Sequence, residues 1–118
     1  MARPSSKTIH SPYRRAIREI VRRIADRFQP EKIILFGSHA NGAPTSDSDV
    51  DLLVIMDSDL RPAQRSMAVA AEVEALPLPK DILVRTPEEL AYRLSIRDSF
   101  FMEVVRDGQV LYERRVQG

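Results

Sequence analysis

Apolar residues along this chain follow two different periods, and those periods predict alternating helices and strands. In four segments the apolar residues recur every three to four positions, which is the period of an amphipathic helix. Between these segments lie short continuous apolar runs bounded by Gly, Pro or Asp, which are typical of buried strands. This order of elements predicts an α/β (α+β) fold in which helices flank a small sheet. The predicted helices cover residues 12–28, 62–76, 87–94 and 98–106, and the predicted strands cover 32–36, 51–56, 80–85 and, as a short edge strand, 109–112.

Two of the predicted helices carry recognisable start and stop residues. Ser11 caps the first helix, Pro12 opens it and Pro30 ends it. The stretch Thr86-Pro87-Glu88-Glu89 is a capping box with Pro at the first helical position. The faces predicted to be buried are Ile17, Ile20, Val21, Ile24, Ala25 and Phe28 in the first helix, and Met67, Ala70, Ala71, Val73 and Leu76 in the second.

The segment from Ile33 to Met56 carries the candidate chemistry. An apolar run ends in Gly37-Ser38, a polar loop follows, and Asp49-Val50-Asp51 begins the next apolar run. Side chains two positions apart on a strand project to one face, so Asp49 and Asp51 present their carboxylates together. Two like charges at such short range are costly unless a cation bridges them. Mg²⁺ fits this pattern, because it takes one or two carboxylates and completes its shell with substrate phosphates.

Gly37 and Ser38 complete the candidate site on its phosphate side. A Gly at the end of a strand lets the backbone approach a ligand closely. Ser38 offers a hydroxyl and a backbone N–H to a phosphate at the start of the next turn. The combination predicts a site for a nucleoside triphosphate together with its metal ion.

The position of this site also constrains the sheet. If Asp49 lies near Ser38, the start of the second strand lies beside the end of the first. The two strands then run antiparallel, and the sheet is mixed. Asp81 opens the third strand as Asp51 opens the second, so both carboxylates could meet at one edge of the sheet.

Other polar residues in this region leave alternatives open. Asp47 alternates onto the same face as Asp49 and Asp51, so spacing alone also permits Asp47 and Asp49 as the metal-binding pair. A polar turn would explain Asp47 and part of Asp49, but it would not explain Asp51, which lies directly against an apolar run. His39 follows Ser38 and could contact a phosphate, but we expect it to be an exposed loop residue, and we expect Lys80 to be exposed to solvent.

The composition is that of an ordinary soluble globular chain. With 118 residues, of which 43% are hydrophobic and 30% charged, we expect one domain over 1–118 with a flexible tail at 1–10. The absence of Cys excludes disulfides and Cys-based metal sites. No apolar run approaches the ~18 residues of a membrane span, and the first ten residues lack a signal-peptide core, so we expect a cytoplasmic protein.

Charge is unevenly distributed along the chain. Residues 1–32 contain nine Lys or Arg and three Asp or Glu, whereas the formal net charge of the whole chain is only +1. Arg14, Arg18 and Arg22 recur every four positions and predict a basic stripe on the first helix. The stripe is either a solvated face or a docking surface for an acidic partner or RNA. A nucleic-acid partner is disfavoured, because the basic excess and the aromatic content are small.

The spacing of the motifs resembles the signature of the minimal nucleotidyltransferases, the smallest members of the superfamily that includes DNA polymerase beta. Here the signature is Gly37-Ser38, ten residues from His39 to Ser48, and then Asp49-Val50-Asp51 before an apolar run. The resemblance covers most of the chain and implies the palm-like nucleotidyltransferase fold. It implies Asp49 and Asp51, not Asp47, as metal ligands, and Gly37 and Ser38 as nucleotide-binding residues. It also implies that Asp81 helps to hold the metal and accepts the proton of the attacking hydroxyl.

The reaction implied by the resemblance is Mg²⁺-dependent transfer of a nucleoside monophosphate, AMP from ATP, to a hydroxyl acceptor. Many members carry Arg where this chain has Asn41, a departure that leaves the metal ligands in place. Larger nucleotidyltransferases add an acceptor-binding domain, for which this chain leaves no residues. The acceptor is therefore expected on a partner or on a second copy of the chain.

Minimal nucleotidyltransferases of this size resemble the antitoxins of two-component toxin–antitoxin modules, whose partners are helical HEPN-domain ribonucleases. Some of these antitoxins transfer AMP to a tyrosine of the toxin. The leading hypothesis is therefore an adenylyltransferase that acts as an antitoxin. Three alternatives stay open: an antitoxin that acts by complex formation alone, a transferase for a small molecule of the aminoglycoside type, and a regulatory module that binds nucleotide without turnover.

Overall fold

Five strands form one mixed sheet in the part of the chain described by the computed structural model, which comprises residues 3–4 (backbone only), 13–42, 44 and 48–115. Strand β2 is antiparallel to β3 and to β5, β5 is antiparallel to β1, and β3 is parallel to β4. The prediction of a mixed sheet with an antiparallel first pair is therefore confirmed. The strands are β1 (Arg3–Pro4), β2 (Lys32–Phe36), β3 (Val50–Ile55), β4 (Lys80–Arg85) and β5 (Gln109–Glu113), in the order β1-β5-β2-β3-β4.

Helices connect these strands and carry several of the predicted end signals. The predicted capping box is present, because the Thr86 hydroxyl accepts the Glu89 N–H at 3.1 Å and the Glu89 carboxylate accepts the Thr86 N–H at 2.9 Å. The predicted start of the first helix at Ser11 and Pro12 lies outside the described residues. None of the described helices is both long enough and apolar enough to span a membrane. The helices are α1 (Arg14–Phe28), α2 (Ser38–Asn41), α3 (Pro62–Glu72), α4 (Pro87–Ser95) and α5 (Ser99–Asp107).

The sheet is buried on both faces, because helices pack on each side of it. Helices α1 and α3 cover one face, and the buried positions predicted for α1 are confirmed, with Phe28 half-buried at the margin. Helices α4 and α5 cover the other face. The first core includes Ile17, Ile20, Ile24, Ile33, Leu35, Leu52, Val54 and Val84, and the second includes Ile34, Leu53, Ile55, Phe101 and Val104.

The prediction for the buried face of α3 is wrong except at its C-terminal end. Met67 is 73% exposed, and Ala70 and Ala71 are also exposed. The side chains that face the core are Arg65 and Val69, followed by Val73 just after the helix. These three positions are four residues apart and therefore lie on one helical face.

Arg65 reaches the core because its charge is satisfied there. Its guanidinium donates to the Glu89 carboxylate at 2.5 and 3.1 Å and to the Leu60 carbonyl at 2.7 Å. A buried charge is tolerated when it is paired and hydrogen-bonded. The apolar periodicity did not indicate this burial, because the pairing depends on a residue 24 positions away.

Two further predictions need correction. The strand predicted at the sheet edge over 109–112 extends to Glu113 and lies between β2 and β1, and β1 falls within the predicted tail of residues 1–10. Lys80 is half-buried, with its ammonium donating to the carbonyls of Leu76 and Leu78 at 2.7 and 2.8 Å. It therefore closes the turn that leads into β4 instead of facing solvent.

Candidate active site

Asp51 and Asp81 occupy paired positions at one end of the sheet. Each is the second residue of its strand, and in the parallel register of β3 and β4 they lie directly opposite each other. Side chains at paired positions of neighbouring strands project to the same face. That face is the one covered by α4 and α5, since Leu53 and Leu83 follow on it. Asp49 precedes β3 and is exposed, whereas Asp47 lies outside the described residues.

Gly37 lies against the Asp51 carboxylate. Phe36, the last residue of β2, is the antiparallel partner of Asp51, so the chain leaves β2 beside that side chain. A Cβ added to Gly37 would overlap Oδ2 of Asp51 and would lie 3.2 Å from its Cγ. Gly37 also has φ 78° and ψ −159°, a conformation that is essentially restricted to Gly. Both the backbone and the neighbouring carboxylate therefore require Gly at this position.

Ser38 begins α2, a single turn that folds back immediately after Gly37. The N–H groups of Ala40 and Asn41 both donate to the Gly37 carbonyl at 3.1 Å, and Gly42 ends the turn in the left-handed conformation. The Ser38 side chain is half-buried. The structure thus places Ser38 next to Gly37 and, through Gly37, beside Asp51.

A cleft of about 230 Å³ opens beside Gly37 between α2 and α5. Phe36 and Phe100 line it from the apolar side, and Asn41 and Glu103 line it from the polar side. The cleft therefore offers space for part of a ligand directly next to the turn that carries Ser38.

Burial and neighbouring charges both act on Asp51. Its pKa is raised above the ordinary value, first by partial burial and then by the carboxylates of Asp81 and Asp49, while His39 acts in the opposite direction. Asp81 and Asp49 are therefore each close enough to Asp51 to disfavour its charged form. A cation beside Asp51 would relieve this repulsion.

Two side chains of this region were missed by the sequence analysis. His39, expected to be exposed, has no exposed surface: its ring packs against Tyr13 in a T-shaped arrangement with the ring centroids 5.5 Å apart, and its Nε2 lies 3.2 Å from the Ser48 carbonyl. Gln109 is only 9% exposed, and its amide donates to the Ala40 carbonyl at 2.8 Å. A polar residue in an otherwise apolar strand was the only signal for Gln109, and nothing in the local sequence indicated the burial of His39.

Comparison with known protein families shows the family of this chain. The profile of the family described as "Nucleotidyltransferase domain" matches residues 17–106, a range that includes Gly37, Ser38, Asp49, Asp51 and Asp81. The chain belongs to the nucleotidyltransferase family. The resemblance drawn from the motif spacing is thereby confirmed at the level of the family.

Two relatives of this nucleotidyltransferase come from Methanocaldococcus jannaschii. The protein named "Putative protein adenylyltransferase MJ0604" is 33% identical over 103 residues, which cover 83% of this chain and 96% of the relative. The protein named "Putative protein adenylyltransferase MJ1379" is 37% identical over 51 residues, which cover 40% of this chain and 51% of that protein.

A solved structure has the same fold at lower sequence similarity. The crystal structure described as a "putative nucleotidyltransferase from Sulfolobus solfataricus" superposes with a TM-score of 0.59 at 22% identity. The superposition covers 85% of this chain and 79% of that one. The nucleotidyltransferase fold predicted from the sequence is therefore confirmed.

The donor atoms of the nucleotidyltransferase site fit a metal that shares its ligands with a substrate. No three His, Asp or Glu side chains within the described residues are arranged to hold a metal ion by themselves. Mg²⁺ does not need such a set, because it is usually bound through one or two carboxylates, substrate phosphates and water. The mutually repelling carboxylates around Asp51, next to Gly37 and Ser38, are compatible with that mode of binding.

Proposed function

We propose that this nucleotidyltransferase transfers AMP from ATP to a hydroxyl group of a partner protein in a Mg²⁺-dependent reaction. The observation that carries the proposal is the contact between Gly37 and the Asp51 carboxylate, with Asp81 paired to Asp51 on the next strand. This contact brings the candidate phosphate turn and the candidate metal ligands to one point. The choice of AMP and of a protein acceptor is supported by the relative named as a protein adenylyltransferase, which matches 83% of this chain.

In the proposed site each residue has a distinct task. Ser38 binds the terminal phosphates through its hydroxyl and backbone N–H, and Gly37 leaves room for them beside Asp51. Asp49 and Asp51, with Asp81, would hold Mg²⁺, which would neutralise phosphate charge and lower the pKa of the acceptor hydroxyl. The face that carries these carboxylates is where the acceptor oxygen must approach.

The proposed reaction is an in-line displacement at the α-phosphorus of ATP. The acceptor oxygen forms a bond to the α-phosphorus, and the bond between that phosphorus and the α–β bridging oxygen breaks. Pyrophosphate leaves with the bond electrons, and Asp81 takes the proton of the acceptor hydroxyl. Positioning and electrostatic stabilisation supply most of the rate in phosphoryl-group chemistry of this kind.

We further propose that the partner is a helical HEPN-domain toxin and that the chain acts as its antitoxin in the cytoplasm. The motif spacing supports this proposal through its resemblance to antitoxins of that class. The competing function is neutralisation by binding alone, with the carboxylates idle. A small hydroxylated acceptor of the aminoglycoside type would be a third outcome.

Labelled ATP distinguishes these functions. The chain is incubated with Mg²⁺, a candidate HEPN protein encoded beside it, and ATP labelled at either the α- or the γ-phosphate. Transfer of α-label but not γ-label to the partner, in steps of one AMP, supports adenylylation. The Asp51→Asn variant should lower transfer by at least about 10²-fold, because charge stabilisation at the reacting phosphate is lost. The matched variant Asp57→Asn changes an exposed Asp beyond β3 and should transfer normally.

Two results would redirect the proposal. If Asp51→Asn still protects cells from the toxin as well as the unmodified chain does, neutralisation proceeds by binding alone. If an aminoglycoside becomes labelled and the partner does not, the acceptor is a small molecule. Either result leaves the family assignment intact.

A further inference from the structure

Two buried polar side chains hold α2 from different sides. Gln109 reaches it from β5 and donates its amide N–H to the Ala40 carbonyl at 2.8 Å, a bond that joins positions 69 residues apart. His39 lies within α2, and its Nε2 is 3.2 Å from the Ser48 carbonyl. Because a carbonyl oxygen can only accept, Nε2 carries the proton in this bond.

The position of α2 cannot come from the turn itself. Its internal backbone support is that of a single turn: Ala40 and Asn41 donate to the Gly37 carbonyl, and Gly42 donates to the Ser38 carbonyl. Helices this short are not stable without tertiary contacts. The location of Ser38 relative to the carboxylates therefore depends on what fixes α2 from outside.

The bond made by His39 ends next to the candidate metal ligands. Ser48 directly precedes Asp49, so the imidazole joins α2 to the peptide that leads into β3. Tyr13, which immediately precedes α1, packs against the same ring in a T-shaped arrangement with the ring centroids 5.5 Å apart, and the His39 side chain is fully buried. The ring thus connects the candidate phosphate turn to the residue that precedes Asp49.

We propose that His39 and Gln109 are positioning residues for the reaction, which set the distance between Ser38 and the carboxylates of Asp49 and Asp51 by fixing α2. This inference rests on the proposed function of the same site. Neither side chain is assigned a contact with the nucleotide. Misplacement of reacting groups by about 1 Å can cost about 10²-fold in rate, so two hydrogen bonds at this point can control catalysis.

Gln109 is a poor choice for stability alone. Its Oε1 is buried and finds no hydrogen-bond partner among the described residues. An unsatisfied buried oxygen is unfavourable, and an apolar side chain of similar size would avoid it. What Gln provides, and an apolar residue does not, is the directed bond to α2.

The test of Gln109 separates geometry from stability. Gln109→Met keeps the size of the side chain and removes the donor, and we expect kcat for AMP transfer to fall about 10- to 100-fold while circular dichroism is unchanged. Val69→Ala is the control for lost packing, because Val69 is fully buried in α3, a helix that carries no candidate site residue. It should lower the melting temperature and leave kcat unchanged. A kcat in Gln109→Met equal to that of the unmodified chain would overturn the proposal for Gln109.

His39 is tested by rescue. His39→Gln can return an amide N–H towards the Ser48 carbonyl, whereas His39→Ala cannot. We expect His39→Ala to lose about 10- to 100-fold in kcat and His39→Gln to recover most of it, when kcat is measured well below the melting temperature of either variant. Equal kcat in the two variants would show that the bond to Ser48 does not position the site.

Hydrogen exchange tests the anchoring of α2 without any assay of AMP transfer, so this inference can fail or hold independently of the proposed function. If the unmodified chain transfers AMP to no acceptor, the proposed function fails, and hydrogen exchange still tests the anchoring of α2. Gln109→Met should speed exchange of the Ala40 and Asn41 amides by about tenfold or more compared with Val69→Ala, because local opening of α2 becomes easier. Equal exchange rates would overturn the proposal even in an active enzyme.

Discussion

At Gly37 both the backbone conformation and the neighbouring Asp51 carboxylate require a residue without a side chain. We expect Gly37→Ala to destabilise the fold by about 2–4 kcal/mol, because the backbone conformation disfavours any Cβ and the added methyl group overlaps Asp51. Any AMP transfer should fall by more than about 10²-fold, since the Asp51 carboxylate must move. Thermal unfolding and a transfer assay measure the two effects.

Gly42→Ala is the control for this prediction. Gly42 has the same φ of 78° but lies in the left-handed region with ψ 14° and is exposed. Its substitution should cost only about 1–2 kcal/mol and leave transfer within a few-fold of the unmodified chain. Equal losses of activity in both variants would show that the contact with Asp51 is unimportant.

Asp51 is predicted to destabilise the metal-free protein. Its raised pKa means that the folded state disfavours the charged carboxylate, so this unfavourable contribution is absent at low pH and appears as the pH rises through the folded pKa. At neutral pH in EDTA we expect Asp51→Asn to raise the free energy of unfolding, whereas Asp57→Asn should change it by less than about 0.5 kcal/mol. Chemical denaturation measures both, and destabilisation by Asp51→Asn would contradict the prediction.

The candidate carboxylates were predictable from the sequence because their signal is local. Asp49 and Asp51 stand at the start of an apolar strand, which indicates the end of the sheet where they lie, and the resemblance to the minimal nucleotidyltransferases selects them over Asp47. His39 and Gln109 were not predictable, because their burial depends on partners in α1 and in the turn before β3, and at Ala40 in α2. The burial of these two side chains depends on tertiary contacts, which the local sequence does not specify.

The link between α4 and α3 depends on pH through the pair of Glu89 and Arg65. The Arg65 guanidinium, through its hydrogen bonds, lowers the pKa of the Glu89 carboxyl to about 2, and the Thr86 N–H adds to this shift. The stabilisation is therefore complete above the ordinary pKa of about 4.5 and is lost as the pH falls towards 2. Since the Glu89 side chain is 35% exposed, solvent weakens the pair below the value expected for a fully buried one.

We expect Glu89→Gln to lower the free energy of unfolding at neutral pH by about 2 kcal/mol, because it leaves the buried Arg65 without its counter-charge. Between pH 5 and pH 2 the free energy of unfolding should fall less for this variant than for the unmodified chain. Glu88→Gln, an exposed neighbour in the first turn of α4, should change neither quantity by more than about 0.5 kcal/mol. Parallel pH profiles for the two variants would argue against the pair as the source of the pH dependence.

The strands were easier to predict than the helix faces. An apolar run bounded by Gly or Asp leaves little choice of element, and the requirement that Asp49 lie near Ser38 gave the antiparallel arrangement of β2 and β3. The face of α3 was mispredicted because apolar Met67 is exposed and Arg65 is buried. Periodicity reports the hydrophobicity of side chains, and it cannot show that a distant Glu89 neutralises a charge.

Across the molecule the basic residues of α1 form a solvated surface that is partly neutralised by its own neighbours. Arg14 and Arg18 are exposed, while Arg22 bonds to Glu19 at 2.6 and 2.7 Å and to Asp26 at 3.0 Å. Exposed pairs of this kind contribute little stability. The stripe therefore need not be a nucleic-acid surface.

The whole domain should respond to ATP and Mg²⁺ as coupled ligands. If Mg²⁺ bridges the carboxylates and the triphosphate, each ligand raises the affinity for the other by the same factor. ATP at about 100 times its Kd in Mg²⁺ should stabilise the fold by about 2.7 kcal/mol, and the same ATP in EDTA should stabilise it much less. Calorimetric titration and thermal unfolding with either ligand alone and with both together measure this coupling.

The double variant Asp49→Asn plus Asp51→Asn should lose the coupling while its circular dichroism stays unchanged, and Asp57→Asn plus Asp59→Asn provides a control with the same loss of charge at exposed positions. ATP binding of equal strength in the unmodified chain and the first double variant would remove Asp49 and Asp51 from the site. Coupling without AMP transfer would instead identify a nucleotide-binding module, since binding both ligands is necessary for the proposed reaction but does not require an acceptor.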